Sequence, residues 1–118
     1  MPKYKVYQMK LTNEQVDEIN EQGAENSSLW KFYSDANMFP DGDKVQNALR
    51  MGLYDHMANI EAPNMDQVVH IGNGEHDDEI EHLENKFGRK MHTITIGDVV
   101  EDTDGVKWFV NFGGYEKV

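Results

Sequence analysis

The closing segment of the chain, Met91 to Val118, sets the strongest constraint on what this sequence can become. It concentrates β-branched and aromatic residues, among them Ile94, Ile96, Val99, Val100, Val106, Trp108, Val110 and Phe112, which suit a pleated, half-buried surface. Asp104-Gly105 lies in its middle, and Asp-Gly is a strong hairpin signal because tight hairpin turns need backbone conformations that these two residues adopt cheaply. The expected unit is a C-terminal β-hairpin: a Gly97-Asp98 turn introduces one strand, Asp104-Gly105 reverses the chain, and Gly113-Gly114 ends the partner strand. A lone hairpin is marginal in water, so the preceding residues must supply cover.

Their patterning predicts mostly helices. Tyr4 to Lys10 alternates and reads as an opening strand. Thr12 and Gln15 have capping-box spacing, and Leu11 and Val16 sit where a hydrophobic staple would close. Val16 and Ile19 then mark a buried stripe, and Gly23 is the expected stop. Ser27-Ser28 precedes Leu29-Trp30-Lys31-Phe32-Tyr33, one or two helical turns ahead of Pro40. Core packing is the preferred role for Trp30, Phe32 and Tyr33, with partner anchoring as the other reading. Asp41 is placed to cap a helix carrying Val45, Ala48 and Leu49 and ending near Gly52; a strand is expected over 53–60, and Asn64 caps a helix carrying Met65, Val68, Val69 and Ile71. No repeat or linker divides the chain. The predicted fold is α+β: one small domain spanning 1–118, its helices packed on a mainly antiparallel sheet.

Charge narrows the function classes. Asp and Glu number 22 against 11 Lys and Arg, for a formal net charge of −11. Residues 11–85 carry 17 acids and only Lys31, Lys44 and Arg50, whereas the first ten residues are basic and the last third is balanced. Such a field repels nucleic acid and anionic lipid and attracts a basic partner. The chain lacks cysteine, which removes disulfides, thiolate nucleophiles and Cys-based metal sites. No apolar run reaches a membrane-spanning length and Met1 to Lys10 lacks the core of a signal peptide, so a cytoplasmic protein is expected.

The densest polar cluster is Glu75-His76-Asp77-Asp78-Glu79-Ile80-Glu81-His82-Leu83-Glu84. On a helix, Glu79 or Asp78 would share a face with His82 and could meet one metal ion; a small metal-dependent enzyme built on His76, Glu79 and His82 is the alternative this raises. Two ligands are too few, HExxH is absent, and a solvated helix or loop is the preferred reading, with no cofactor expected. Asp41-Gly42-Asp43 and Asp102-Thr103-Asp104-Gly105 lack the first and last ligands of a calcium loop and read as turns. His56, His70 and His92 have no nucleophile–base motif around them, and GxGxxG and GxxxxGK[ST] are missing.

The segment His92-Thr93-Ile94-Thr95-Ile96-Gly97-Asp98-Val99-Val100, followed by Asp104-Gly105, Trp108-Phe109-Val110 and Gly113-Gly114-Tyr115, resembles the closing motif of YodL-like domains. That motif runs approximately S-[LI]-S-[VI]-G-D-V-[VI], a D-G turn, an aromatic strand and a final G-[FY]. The opening Tyr4-Lys5-Val6-Tyr7-Gln8 is similar to the family's first strand. Thr93 and Thr95 stand where serines are usual, a second glycine precedes Tyr115, and the middle is matched only by general layout. The resemblance implies a small protein of phages or other mobile elements that acts on host processes by binding.

The functional expectation is therefore a non-enzymatic protein that meets a basic surface of a host protein through Asp77, Asp78, Glu79, Glu81 and Glu84. One form of it is a DNA mimic whose carboxylates stand in for phosphates. A regulatory module whose acidity serves solubility is the remaining alternative.

Overall fold

A computed structural model describes residues 1–74 and 77–118, with the backbone alone at Asp77. The described residues form β1 (Lys3–Met9), α1 (Asn13–Gln22), α2 (Ser28–Met38), α3 (Gly42–Arg50), β2 (Tyr54–Glu61), α4 (Met65–Asn73), β3 (Ile80–His82), β4 (Val99–Glu101), β5 (Lys107–Asn111) and β6 (Gly114–Lys117). Short 3₁₀ turns occupy Ala24–Asn26 and Asp77–Glu79. The strands make one antiparallel sheet in the order β3-β2-β1-β4-β5-β6, and the architecture is α+β.

Helix starts follow their side-chain chemistry. Thr12 and Gln15 close the capping box on α1; Ser27, Asp41 and Asn64 each accept from the backbone N–H three residues on, satisfying a donor that the helix itself leaves orphaned. Gly23 and Gly52 end α1 and α3 with positive φ.

The sheet is covered on both faces, but unequally. On one face α4 sets Val68 and Ile71 against Tyr4, Val6, Ala58, Ile60 and Val100. On the other, α2 and α3 set Ala36, Val45 and Ala48 against Met9, Tyr54, Val99 and Phe109. Successive strand residues point to opposite faces, so the adjacent Val99 and Val100 each reach a different core. In β2 the register slips between the pairs Val6↔Ala58 and Tyr7↔His56, which inserts Met57 as a bulge.

Close approach is purchased by glycine at two places. A Cβ on Gly97, whose φ is +91°, would stand 2.7 Å from the Ala36 carbonyl oxygen of α2. A Cβ on Gly72 would stand 2.3 Å from Ile94 Cδ1, so α4 rests directly on the segment leading into β4.

Three expectations need correction and a fourth needs extension. Val16 is 39% exposed and Ile19 alone of α1 is buried, because α1 packs chiefly on α2 and its 3₁₀ turn rather than on the sheet. The aromatic segment is a full helix of 11 residues, with Phe32 and Tyr33 half-buried and Trp30 38% exposed. Residues 80–82 are an edge strand rather than a helix, so Glu79 and His82 are not one helical turn apart. Gly113-Gly114 ends the partner strand as expected, β5 stopping at Asn111, but the chain also reverses there, with Gly113 at φ +87°, and adds β6.

Candidate functional site

The acids singled out from sequence fall on the β3 edge. Asp78 and Glu79 lie on the 3₁₀ turn, Glu81 lies on β3 and Glu84 follows it, all exposed; His76 and the side chain of Asp77 lie outside the described residues. Asp78, Glu79 and Glu81 line a cleft of about 220 Å³, where Glu61 of β2 joins them beside Lys3 and Asn59. Glu84 lines a different groove, together with His82, Arg89 and Lys90. Within β3, Glu81 points away from its neighbour His82, whereas Glu79 precedes the strand on the 3₁₀ turn and Glu84 follows it. Glu79 and His82 line different depressions, and among the described residues no three His, Asp or Glu side chains gather as a metal cage.

Glu81 is tied into the sheet. Its Oε2 lies 3.6 Å from Lys3 Nζ and its Oε1 accepts from Asn59 Nδ2 at 3.3 Å. Asn59 Oδ1 lies 2.7 Å from His56 Nε2, and the His56 ring stacks on Tyr7 with centroids 5.2 Å apart. Tyr7 Oη donates to Glu101 Oε1 at 3.2 Å, and Glu101 also meets Lys107 at 3.3 Å and Lys5 at 3.7 Å. One polar chain thus crosses β3, β2, β1, β4 and β5 on the part of the sheet that α2 and α3 leave uncovered. Burial works against the Glu101 charge, but Lys107, Tyr7 and Lys5 outweigh it and hold the carboxyl below the ordinary glutamate value. Burial and the same carboxylate push the Tyr7 hydroxyl up.

A second acidic surface lies at the far end of β1. Residues 11–30 contain Glu14, Asp17, Glu18, Glu21 and Glu25, all exposed, and no Lys or Arg. Among the described residues none of the five forms an ion pair within 4 Å. β3 pairs with the Ala58–Ile60 end of β2, next to the start of β1, whereas α1 follows the opposite end of β1 at Met9. The acids therefore form two surfaces. The signal for the second was legible as a twenty-residue stretch without a cation.

Among the described residues, the Gly-Asp turn of the closing motif holds the most deeply placed ionisable group. Asp98 is 4% exposed. Its Oδ2 accepts from the Thr95 N–H at 2.9 Å and from Gln8 Nε2 at 3.0 Å, with His92 Nε2 3.5 Å away. Gln8, fully buried, also exchanges hydrogen bonds with the His92 backbone at 2.8 and 3.0 Å, and Tyr54 Oη donates to the Gly97 carbonyl at 2.5 Å. Burial raises the Asp98 carboxyl against the lowering pull of His92, Thr95 and Gln8. The arrangement pins the segment before β4 to β1.

The acidic turns are likewise occupied by the fold. Asp102 Oδ1 accepts from the backbone N–H of Asp104 and Val106, and Oδ2 from Trp108 Nε1 at 3.0 Å. Both oxygens shape the β4–β5 hairpin. No described helix is long and apolar enough to cross a membrane. The chain matches no protein family, no curated protein and no solved structure.

Proposed function

We propose that this chain is a non-enzymatic binding protein that receives a basic partner surface at the β3 edge. The observation that carries this reading is the convergence of Asp78, Glu79, Glu81 and Glu61 on one cleft beside a single cation, Lys3. A Lys or Arg side chain entering there meets several carboxylates at once, a geometry that favours charge-assisted hydrogen bonds. The strand behind the cleft is an edge, and its acidic flank discourages indiscriminate strand pairing while remaining open to a complementary surface.

A host protein as the partner is the context that the resemblance to YodL-like domains implies. The DNA-mimic form of the reading draws on α1. Glu14, Glu18 and Glu21 recur at three- and four-residue spacing, which sets side chains roughly 5–6 Å apart along one helix face, a row of negative charge that a basic nucleic-acid groove can accept.

The test is capture of partners on immobilised protein at low and moderate salt, comparing three forms. One is the native chain, one carries Asp78→Asn, Glu79→Gln and Glu81→Gln, and one carries Glu14→Gln, Asp17→Asn, Glu18→Gln and Glu21→Gln. A partner held by the cleft is lost from the first variant, retained by the second, and weakened as salt screens exposed charges. Equal loss from both variants would reduce the effect to general acidity. Release of the partner by duplex DNA would support mimicry.

A further inference from the structure

We propose that the groove between β3 and the loop at 83–90 is a binding site for a phosphate-class oxyanion, held by Arg89 and Lys90. This surface is distinct from the acidic cleft and opposite to it in charge.

In a chain with twice as many acids as bases, the cations here are concentrated. Arg89 and Lys90 line a groove of about 500 Å³ together with His82, Leu83 and Asn85, and among the described residues Glu84 is the one carboxylate on its wall. Lys10 comes to the same corner from the end of β1, donating from Nζ to the Lys90 carbonyl at 3.0 Å. Its ammonium is held below the ordinary lysine value by burial and by the Arg89 guanidinium, with the buried Asp98 pulling the other way. Lys10 and Arg89 thus carry like charge at one corner of the molecule, and among the described residues Arg89 has no ion-pair partner within 4 Å. Like charges set side by side are destabilising unless an anion lies between them. Lys86 serves a different purpose, donating to the Gly52 carbonyl and lying over the Phe87 ring.

The loop that presents Arg89 is internally braced. Asn85 Nδ2 donates to the carbonyls of Leu83 at 3.1 Å and Arg89 at 2.6 Å, and its Oδ1 accepts the Phe87 N–H at 3.0 Å. Gly88 turns the chain at φ +64°, its N–H donating to the Asn85 carbonyl at 3.1 Å. The Leu83 N–H anchors the base of the loop on the Met57 carbonyl of β2 at 3.0 Å. The backbone that presents Arg89 is therefore fixed before a ligand arrives, which reduces the entropic cost of ordering the loop on binding.

The chemistry of the ligand follows from the donors. A guanidinium offers a planar fork that matches two oxygens of one oxyanion, and an ammonium supplies a point charge. The groove volume lies within the range of small-molecule sites. A nucleic acid is disfavoured by the −11 field of the whole molecule. The shared chemistry is the phosphate dianion, free or carried on a small monoester whose carbon skeleton would rest on Leu83.

The experiment is an NMR amide titration of the full chain at fixed ionic strength with inorganic phosphate, with a nucleoside monophosphate and with sodium chloride as control. Saturable shifts confined to Asn85, Arg89 and Lys90 are expected. Arg89→Gln should weaken binding about tenfold or more, and Lys31→Gln should leave it unchanged. Tighter binding of the monoester identifies a carbon-bearing ligand; equal binding identifies free phosphate. No saturation below about 20 mM, where binding is weaker than any useful site, would overturn the assignment. So would shifts that persist in Arg89→Gln or spread over Lys31 and Lys117. Arg89 is exposed and its carbonyl contact is backbone, so the variant should keep the native circular dichroism spectrum.

Discussion

Replacing Asp98 separates its hydrogen bonds from its charge. In Asp98→Ala the Thr95 N–H loses its acceptor and Gln8 Nε2 keeps only the His92 carbonyl. An orphaned buried donor costs about 1–3 kcal/mol, and hydrogen bonds to a charged acceptor contribute about 1.5–3 kcal/mol each. Relief of the buried charge offsets about 1.4 kcal/mol for each unit by which burial raises the carboxyl. The net loss should be about 2 kcal/mol near neutral pH, a fall in Tm of roughly 6–12 °C for a domain of this size. Asp98→Asn retains an oxygen for both donors and removes the titration. Because the folded-state pKa is raised, the contribution of Asp98 is fully present below the unfolded value near 3.9 and is lost as pH rises through the folded value. Native stability should therefore fall relative to Asp98→Asn as pH increases. Urea unfolding from pH 4 to 8 measures this, with a parallel series in a His92→Gln background to remove the neighbouring imidazole. A pH-independent difference between native and Asp98→Asn proteins, or Asp98→Ala within about 0.5 kcal/mol of native, would refute the reasoning.

Gly97→Ala combines a positive φ with a Cβ 2.7 Å from the Ala36 carbonyl and should cost about 2 kcal/mol or more by urea unfolding, whereas Gly105→Ala, with φ +80° but open space, should cost about 1 kcal/mol. Gly72→Ala overlaps Ile94 and should cost about 1–3 kcal/mol; in Gly72→Ala/Ile94→Ala the two losses should be less than additive, and additivity would refute direct overlap. Glu101→Gln should cost under about 1 kcal/mol, since its lysine partners are solvent-accessible. The lowered folded pKa of Glu101 makes that contribution present above the unfolded value near 4.3 and lost as pH falls through the folded value. Equal stability losses at pH 2.5 and pH 7 would contradict it.

Local chemistry was legible where it acts over a few residues. The capping box at Thr12 and Gln15, the caps at Asp41 and Asn64 and the Asp104-Gly105 reversal each depend on groups within three or four positions, and all form as expected. The β3 strand was not legible, because its three residues are extended by the free edge of Ala58–Ile60 rather than by their own pattern. Val16 misled for a related reason: periodicity shows which face of a helix can be buried, while the neighbouring element determines how much of it is. In the candidate site, sequence located Asp78, Glu79 and Glu81, but Glu61 joins them only through strand pairing, and Glu84 leaves them because it lies past the end of β3, on the loop that walls the other groove.

Sequence alone determined most element types outside β3 and β6, the turns, the α+β class and the uneven distribution of charge, since propensity, capping and formal charge are properties of residues and their near neighbours. Tertiary structure decided that the acids divide into two surfaces, that Arg89, Lys90 and Lys10 gather into a basic corner, and that Gln8 and Asp98 meet across 90 positions inside the sheet. Those outcomes depend on which strands pair and in what register, and a pairing energy shared among residues far apart in the chain leaves no periodic mark on any one segment.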